Sequence, residues 1–274
     1  MSWAAKLTLD YRRDGERTTA HDRHEGPLRV LQRLYPEGPG ICHHVIVHPP
    51  GGIVGGDRLE VRARLDEGCH ALVTTPGATR FYRSAGDTAH QSASLTLAAG
   101  ARLEWLPLEA IAYRGCIAEN RLQLALAPGA EAMGWDVLAL GLPAAGQAFD
   151  HGRFHQHLEL PGVWLERGLI DAADGALLDG PLGLAGHRVL GTLWFAAGVP
   201  LTPGRRDALL EAARDALGDD PLVAGATSPH APVVLLRALA DRVEPLMAAF
   251  VRVRAAWRRV AWALAEERPR IWQT

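Results

Sequence analysis

A mainly β fold is what this sequence predicts, on three observations. From the N-terminus to about residue 200, short apolar or alternating runs follow one another. Gly, Pro and Asp separate them at short intervals, and no long amphipathic helix interrupts them. Alternation over five to seven residues between turn signals is the pattern of half-buried strands. The strand candidates are Val45-Ile46-Val47, Leu59 to Leu65, His70 to Thr75, Ser92 to Leu97, Leu122 to Leu126 and Trp135 to Leu140. Such a texture allows a solenoid-like stack, although no repeat of fixed period is visible.

Two helices and a strand follow. Thr202-Pro203 supplies an N-cap and a proline at the first helical position, so a helix is placed at 203–217, with Leu209, Leu210, Ala213 and Leu217 as its apolar stripe. Val233 to Leu239, rich in branched residues, reads as a last strand at 232–239. The second helix is placed at 242–265, where Leu246, Phe250, Val253, Trp257, Val260 and Leu264 recur at steps of four and three. Pro245 sets its start, because proline is tolerated only in a first turn. The whole chain, 1–274, is read as a single domain, strand-rich over 1–200.

Composition narrows the function. Hydrophobic residues make up 48% and charged residues 22%, which is globular, and a net charge of −2 provides no field to attract nucleic acid. Long uncharged stretches, such as Val189 to Gly204, are too short for a membrane span, and this one is broken by Gly191, Gly198 and Pro200. The first residues lack the apolar core of a secretory signal, and Cys42, Cys69 and Cys116 are odd in number and widely spaced. A cytoplasmic protein is the expectation.

The run His48-Pro49-Pro50-Gly51-Gly52-Ile53-Val54-Gly55-Gly56-Asp57 holds four glycines in six positions, a demand for positive φ or very close chain approach. No lysine follows, and Arg58 to Leu65 alternates like a strand, so a structural crossing is favoured over a phosphate cradle. A sugar- or nucleotide-directed enzyme with this loop as its clamp is the weakest of the readings considered. Cys42, His44 and His48 share one strand face, and His155 and His157 share another with Glu159 beyond. Either set is a candidate for a borderline ion such as nickel, with structural roles as the alternative. Arg80, Tyr82 and Arg83 combine arginine with aromatics, as buried interfaces do. Arg252, Arg254, Arg258 and Arg259 give the last helix a basic surface, with Arg254 and Arg258 as candidate partner contacts. Carboxylates in apolar segments, among them Asp57, Glu104, Asp136 and Glu166, are expected to answer backbone or arginine donors. No Gly-x-Ser-x-Gly elbow, His-Glu-x-x-His helix or Cys-x-x-Cys pair occurs, so no catalytic residue is assigned.

Read with its neighbours, His48 to Asp57 resembles the UreD/UreH family of urease accessory proteins. The resemblance extends in order through Gly26-Pro27-Leu28-Arg29-Val30, Tyr35-Pro36-Glu37-Gly38, Thr75 to Ser84, Leu103-Glu104-Trp105-Leu106-Pro107, Gly191-Thr192-Leu193 and Pro269-Arg270-Ile271-Trp272. It implies a β-helical stack of strands with a few helices. It also implies a non-enzymatic scaffold that binds a UreF-like partner, which recruits the UreG GTPase, and docks on apo-urease for nickel insertion and metallocentre maturation. Nickel is then a transported ion rather than a tightly bound cofactor, passing through a tunnel near Asp136 and Glu166. A stand-alone nickel-binding or storage module is the alternative. Leu142 and Gln147 stand where relatives commonly carry Arg and Glu, which removes charge from that stretch.

Overall fold

The computed structural model describes residues 2–218 and 222–273, and nearly half of them lie in the strands of two stacked sheets. Neighbours in the first sheet run Trp164–Asp171, Arg153–Leu160, Ile117–Leu126, Ala89–Leu97, Arg58–Leu65, Ala4–Asp14 and Arg17–Glu25. The second runs Val223–His230, Val233–Ala240, Val189–Ala197, Glu131–Leu142, Arg102–Leu106, His70–Thr74, Ile41–Val47 and Arg29–Val30. From Ile41 to Leu160 the long strands alternate between the sheets, so each crossing of the core adds a strand parallel to one laid down a coil earlier. Arg58 pairs with His90 and His90 with Glu119, while His70 pairs with Arg102 and Arg102 with Glu131. This is the solenoid-like stack, and antiparallel strands close both of its ends.

The coils turn at stacked glycines. Gly68, Gly100 and Gly129 have φ of 66°, 66° and 80°, and each is followed by a buried small residue, Cys69, Ala101 or Ala130. Left-handed backbone at these turns is open to glycine at no steric cost.

Inward positions of both sheets form one apolar core, including Leu7, Leu95, Leu124, Leu138 and Phe154. The other face of the second sheet packs on three-turn or longer helices, giving a third layer. A short helix, α1 (Gly175–Asp179), was not expected from the sequence. Helix α2 (Pro203–Leu217) begins where Thr202 accepts a hydrogen bond from the Arg205 amide. Helix α3 (Val243–Trp262) buries Leu246, Phe250, Val253 and Trp257, and Phe250 lies against Gly191, where a side chain would leave it no room.

The last helix is shorter than its periodicity predicts. Ala263 takes a left-handed conformation (φ 52°), and the Ala263 and Leu264 amides donate back to the Arg259 and Arg258 carbonyls. Val260 is therefore exposed, and Trp262 takes the buried place expected of Leu264. Among the described residues no helix is long and apolar enough to cross a membrane.

Candidate functional site

The glycine-rich run leaves the strand Ile41–Val47 and crosses closely over Thr79–Phe81 and the residues after it. The Ile53 amide donates to the Arg80 carbonyl (2.7 Å), and the Tyr82 amide donates to the Ile53 carbonyl (2.9 Å). Gly51 and Gly56 have φ of 77° and 90°. A Cβ at Gly52 would strike the Tyr82 ring, and one at Gly55 would strike Ser84 and come within 2.7 Å of the Asp87 carbonyl oxygen. Asp57 fixes the exit of the loop, its carboxylate accepting from the Trp3 amide (2.7 Å) and the Val54 amide (3.0 Å). The glycines answer backbone approach. Gly55→Ala is accordingly expected to cost about 1–3 kcal/mol by overpacking against fixed backbone, read as a lowered urea midpoint, whereas Gly77→Ala in open space leaves it nearly unchanged.

Beside this loop lies a cavity of about 270 Å³ between the sheets, bordered by His48, Gly51 and Gly52 and reaching Gln91, Asn120 and Asp136. The His48 Nε2 is buried there without a hydrogen-bond partner. From the cavity a row of polar side chains continues through the otherwise apolar core. Gln91 donates to the Asn120 carbonyl oxygen (3.2 Å), Asn120 donates to Asp136 (2.7 Å), and Gln156 donates to the other Asp136 oxygen. Asp136 pairs across the sheet with Thr192, and Thr192 with Arg237. Glu166, from the facing sheet, accepts from the Thr192 hydroxyl (2.9 Å) and from Arg237 Nε (3.1 Å). Asp136 and Glu166 are thus brought into one seam that runs from the cavity toward the edge strands.

Burial pushes the Asp136 carboxyl up to about 6, and the Glu166 charge adds to the rise against the hydrogen bonds from Gln156 and Asn120. Asp136 therefore changes charge close to neutral pH. Gln91, Asn120, Gln156, Thr192 and Arg237 were not singled out from the sequence. The signal was parity: each is polar at an inward position of its strand, as Gln156 is between Phe154 and Leu158.

The other candidates are placed differently. His155 and His157 lie on the outer face of the first sheet, with His157 bonded to Glu159 at 3.0 Å. His44 is fully buried with its Nδ1 2.7 Å from the Tyr11 hydroxyl, and burial brings its pKa down to about 4. Burial also raises the Cys42 thiol. His48 lies beyond the strand end, away from that pair. Among the described residues no three His, Cys, Asp or Glu side chains come together as a metal-holding group. Arg80 is exposed beside the cavity, Arg83 is exposed on a separate surface shared with Arg114 and Asp150, and Tyr82 is half-buried against Tyr113.

The basic surface expected of the last helix needs correction. Arg252 and Arg259 are exposed, but Arg254 and Arg258 are 1% and 0% exposed and cannot meet a partner. Both point into the protein, where Glu104 accepts from Arg254 Nε (2.6 Å) and from Arg258 Nη1. Arg258 also donates to Glu37, and the other Glu37 oxygen is 2.9 Å from His43 Nε2. The same guanidiniums hold the C-terminal segment, donating to the carbonyls of Glu267 (2.6 Å) and Ala265 (3.1 Å). Trp272 at its end donates to the Thr74 hydroxyl (2.8 Å).

Comparison with known proteins is consistent across the chain. Residues 4–273 match the family described as UreD urease accessory protein. Relatives named Urease accessory protein UreD include one from Leptothrix cholodnii, 63% identical over 278 residues and covering 100% of both chains. Others come from Paracidovorax citrulli, 61% identical over 274 residues with 99% of each chain covered, and Variovorax paradoxus, 57% identical over 276 residues with 100% of each covered.

Proposed function

The chain belongs to the UreD family of urease accessory proteins and so serves urease maturation; from that premise we propose that it is a non-catalytic, cytoplasmic adaptor through which nickel passes. In this reading a UreF-like partner binds it, brings the UreG GTPase, and the assembly docks on apo-urease. Nickel moves between the two sheets and is not retained as a cofactor.

The observation that carries the reading is the seam of polar side chains joining the cavity at His48 to Asp136 and Glu166. Polar side chains inside an apolar sandwich cost stability unless satisfied, and an apolar pair of sheets would pack without them. Asp136, held by two neutral amides, and Glu166, held by the Thr192 hydroxyl and the Arg237 guanidinium, make short-lived contacts to a passing cation, strong enough to admit it and weak enough to release it. His48 Nε2 offers a borderline-soft ligand at the mouth.

Arg80 borders the cavity, Arg83 lies three residues on, and both are exposed, with Tyr82 between them in sequence. Arginine beside an aromatic residue suits a protein interface, and a partner seated there would shield the ion from solvent. Arg80→Glu with Arg83→Glu is expected to abolish co-purification with a UreF-like partner while leaving the unfolding midpoint within about 0.5 kcal/mol of the parent, as surface substitutions do. Co-purification at the parent level would remove these residues from the interface.

A further inference from the structure

A second cavity, of about 460 Å³, opens where strand Arg17–Glu25 of the first sheet meets the segment Val30 to Tyr35 beside the second. Its inner wall is His44, whose ring is fully buried and whose Nε2 has no hydrogen-bond partner. Its outer wall carries Arg17, with the guanidinium 4.0 Å above the Tyr35 ring. Among the described residues no carboxylate pairs with Arg17, whereas Arg33, the other cation of the cavity, is 2.8 Å from Asp22.

The hydrogen bonding fixes what His44 presents. Tyr11 is fully buried and its hydroxyl lies 2.7 Å from His44 Nδ1. A buried phenol donates its proton where an acceptor is at hand, so Nδ1 accepts, and a neutral imidazole then carries its hydrogen on Nε2. Burial keeps the ring neutral at physiological pH. An N–H donor therefore faces the cavity with its bond unmade, a condition that destabilises the fold when nothing answers it.

We propose that this cavity binds a carboxylate, held by the Arg17 guanidinium and the His44 Nε2–H. The charges select a monoanion: Arg17 and Arg33 together exceed Asp22 by one positive charge, and Asp22 repels a dianion such as sulfate more than a monoanion. A guanidinium fork matches the two oxygens of a carboxylate, and Ala20 and Val30 provide a wall for a small aliphatic group. The carboxylate comes either from a free small acid or from an acidic side chain of a partner protein.

Side-chain nitrogen NMR of the full-length protein separates these. Titration at constant ionic strength with acetate, with a capped glutamyl peptide and with sulfate is followed at the His44 Nε2–H. A saturable shift with acetate assigns the site to free acids, and one with the peptide alone assigns it to a partner side chain. Sulfate leaves the signal unmoved, and a saturable sulfate shift would overturn the selection of a monoanion. In Arg17→Met, which keeps an aliphatic chain over Tyr35, affinity falls about tenfold or more, the loss of one charge-assisted contact. The proposal is overturned if neither carboxylate gives a saturable shift, or if affinity survives in Arg17→Met.

Discussion

Glu104→Ala is expected to destabilise the protein by about 3–5 kcal/mol, because it leaves two guanidiniums buried without their shared counter-ion. Glu104 is 0% exposed and accepts from both Arg254 and Arg258. Bringing these charges out of water is costly, and the cluster holds because each charge meets an opposite one in good geometry. Removing the carboxylate alone keeps the desolvation cost and loses the compensation. The loss extends to the C-terminal segment, since Arg254 and Arg258 orient the Glu267 and Ala265 carbonyls.

The same cluster sets a dependence on acid. Burial pushes the Glu104 carboxyl upward, but Arg254, the bond from His70 and Arg258 outweigh it and hold the pKa at about 2. A group depressed in the folded state stabilises fully above its unfolded value, near 4.5, and loses that contribution as pH falls toward 2. Urea midpoints of the parent should drop steeply below about pH 4.5, with a shallower drop in Glu104→Ala. A Glu104→Ala midpoint equivalent to less than about 1 kcal/mol of destabilisation would reduce the cluster to a surface-like pair.

These two arginines also mark the boundary of what the chain discloses. Arg254 follows Phe250 by four positions and precedes Trp257 by three, so helical spacing alone places it on the buried stripe. Charge argued the other way, since arginine is rarely buried without a partner. The partner, Glu104, lies 150 residues earlier on a strand of another layer, and no local pattern links the two. The strands of the coils were legible because their alternation and their turns are local. Their order in the sheets was not, because period-two alternation gives the face of a residue and not the identity of its neighbour.

Val223–His230 was invisible for a different reason. Gly225 and Pro229 break its pattern, and it survives as an edge strand with a bulge between Thr227 and His230. The glycine-rich run was readable as a close crossing, since four glycines before a strand answer backbone approach in a recognisable way. The seam was readable only in part. Asp136 and Glu166 were carried over by resemblance, while the amides, hydroxyl and guanidinium that hold them needed the two sheets face to face.

Replacing Asp136 with leucine is expected to reduce nickel delivery about tenfold or more, as loss of a metal-contacting or orienting group does. The substitution removes the carboxylate at the midpoint of the seam and fills its place with an apolar branch, leaving Asn120 and Gln156 without their common acceptor. Since the Asp136 carboxyl is raised to about 6, delivery by the parent should also weaken as pH falls through about 6 and the group becomes neutral. Asp136→Asn, neutral at every pH, should be poor throughout and lack that step.

The most direct measurement is the nickel content of urease matured by a complex carrying Asp136→Leu. It is made on complexes from which the UreF-like partner still co-purifies at the parent level, so that docking and passage are separated. Nickel content about tenfold or more below that obtained with the parent, at equal complex yield, is the predicted result. Full nickel loading through a chain with the seam blocked would show that the ion takes another route.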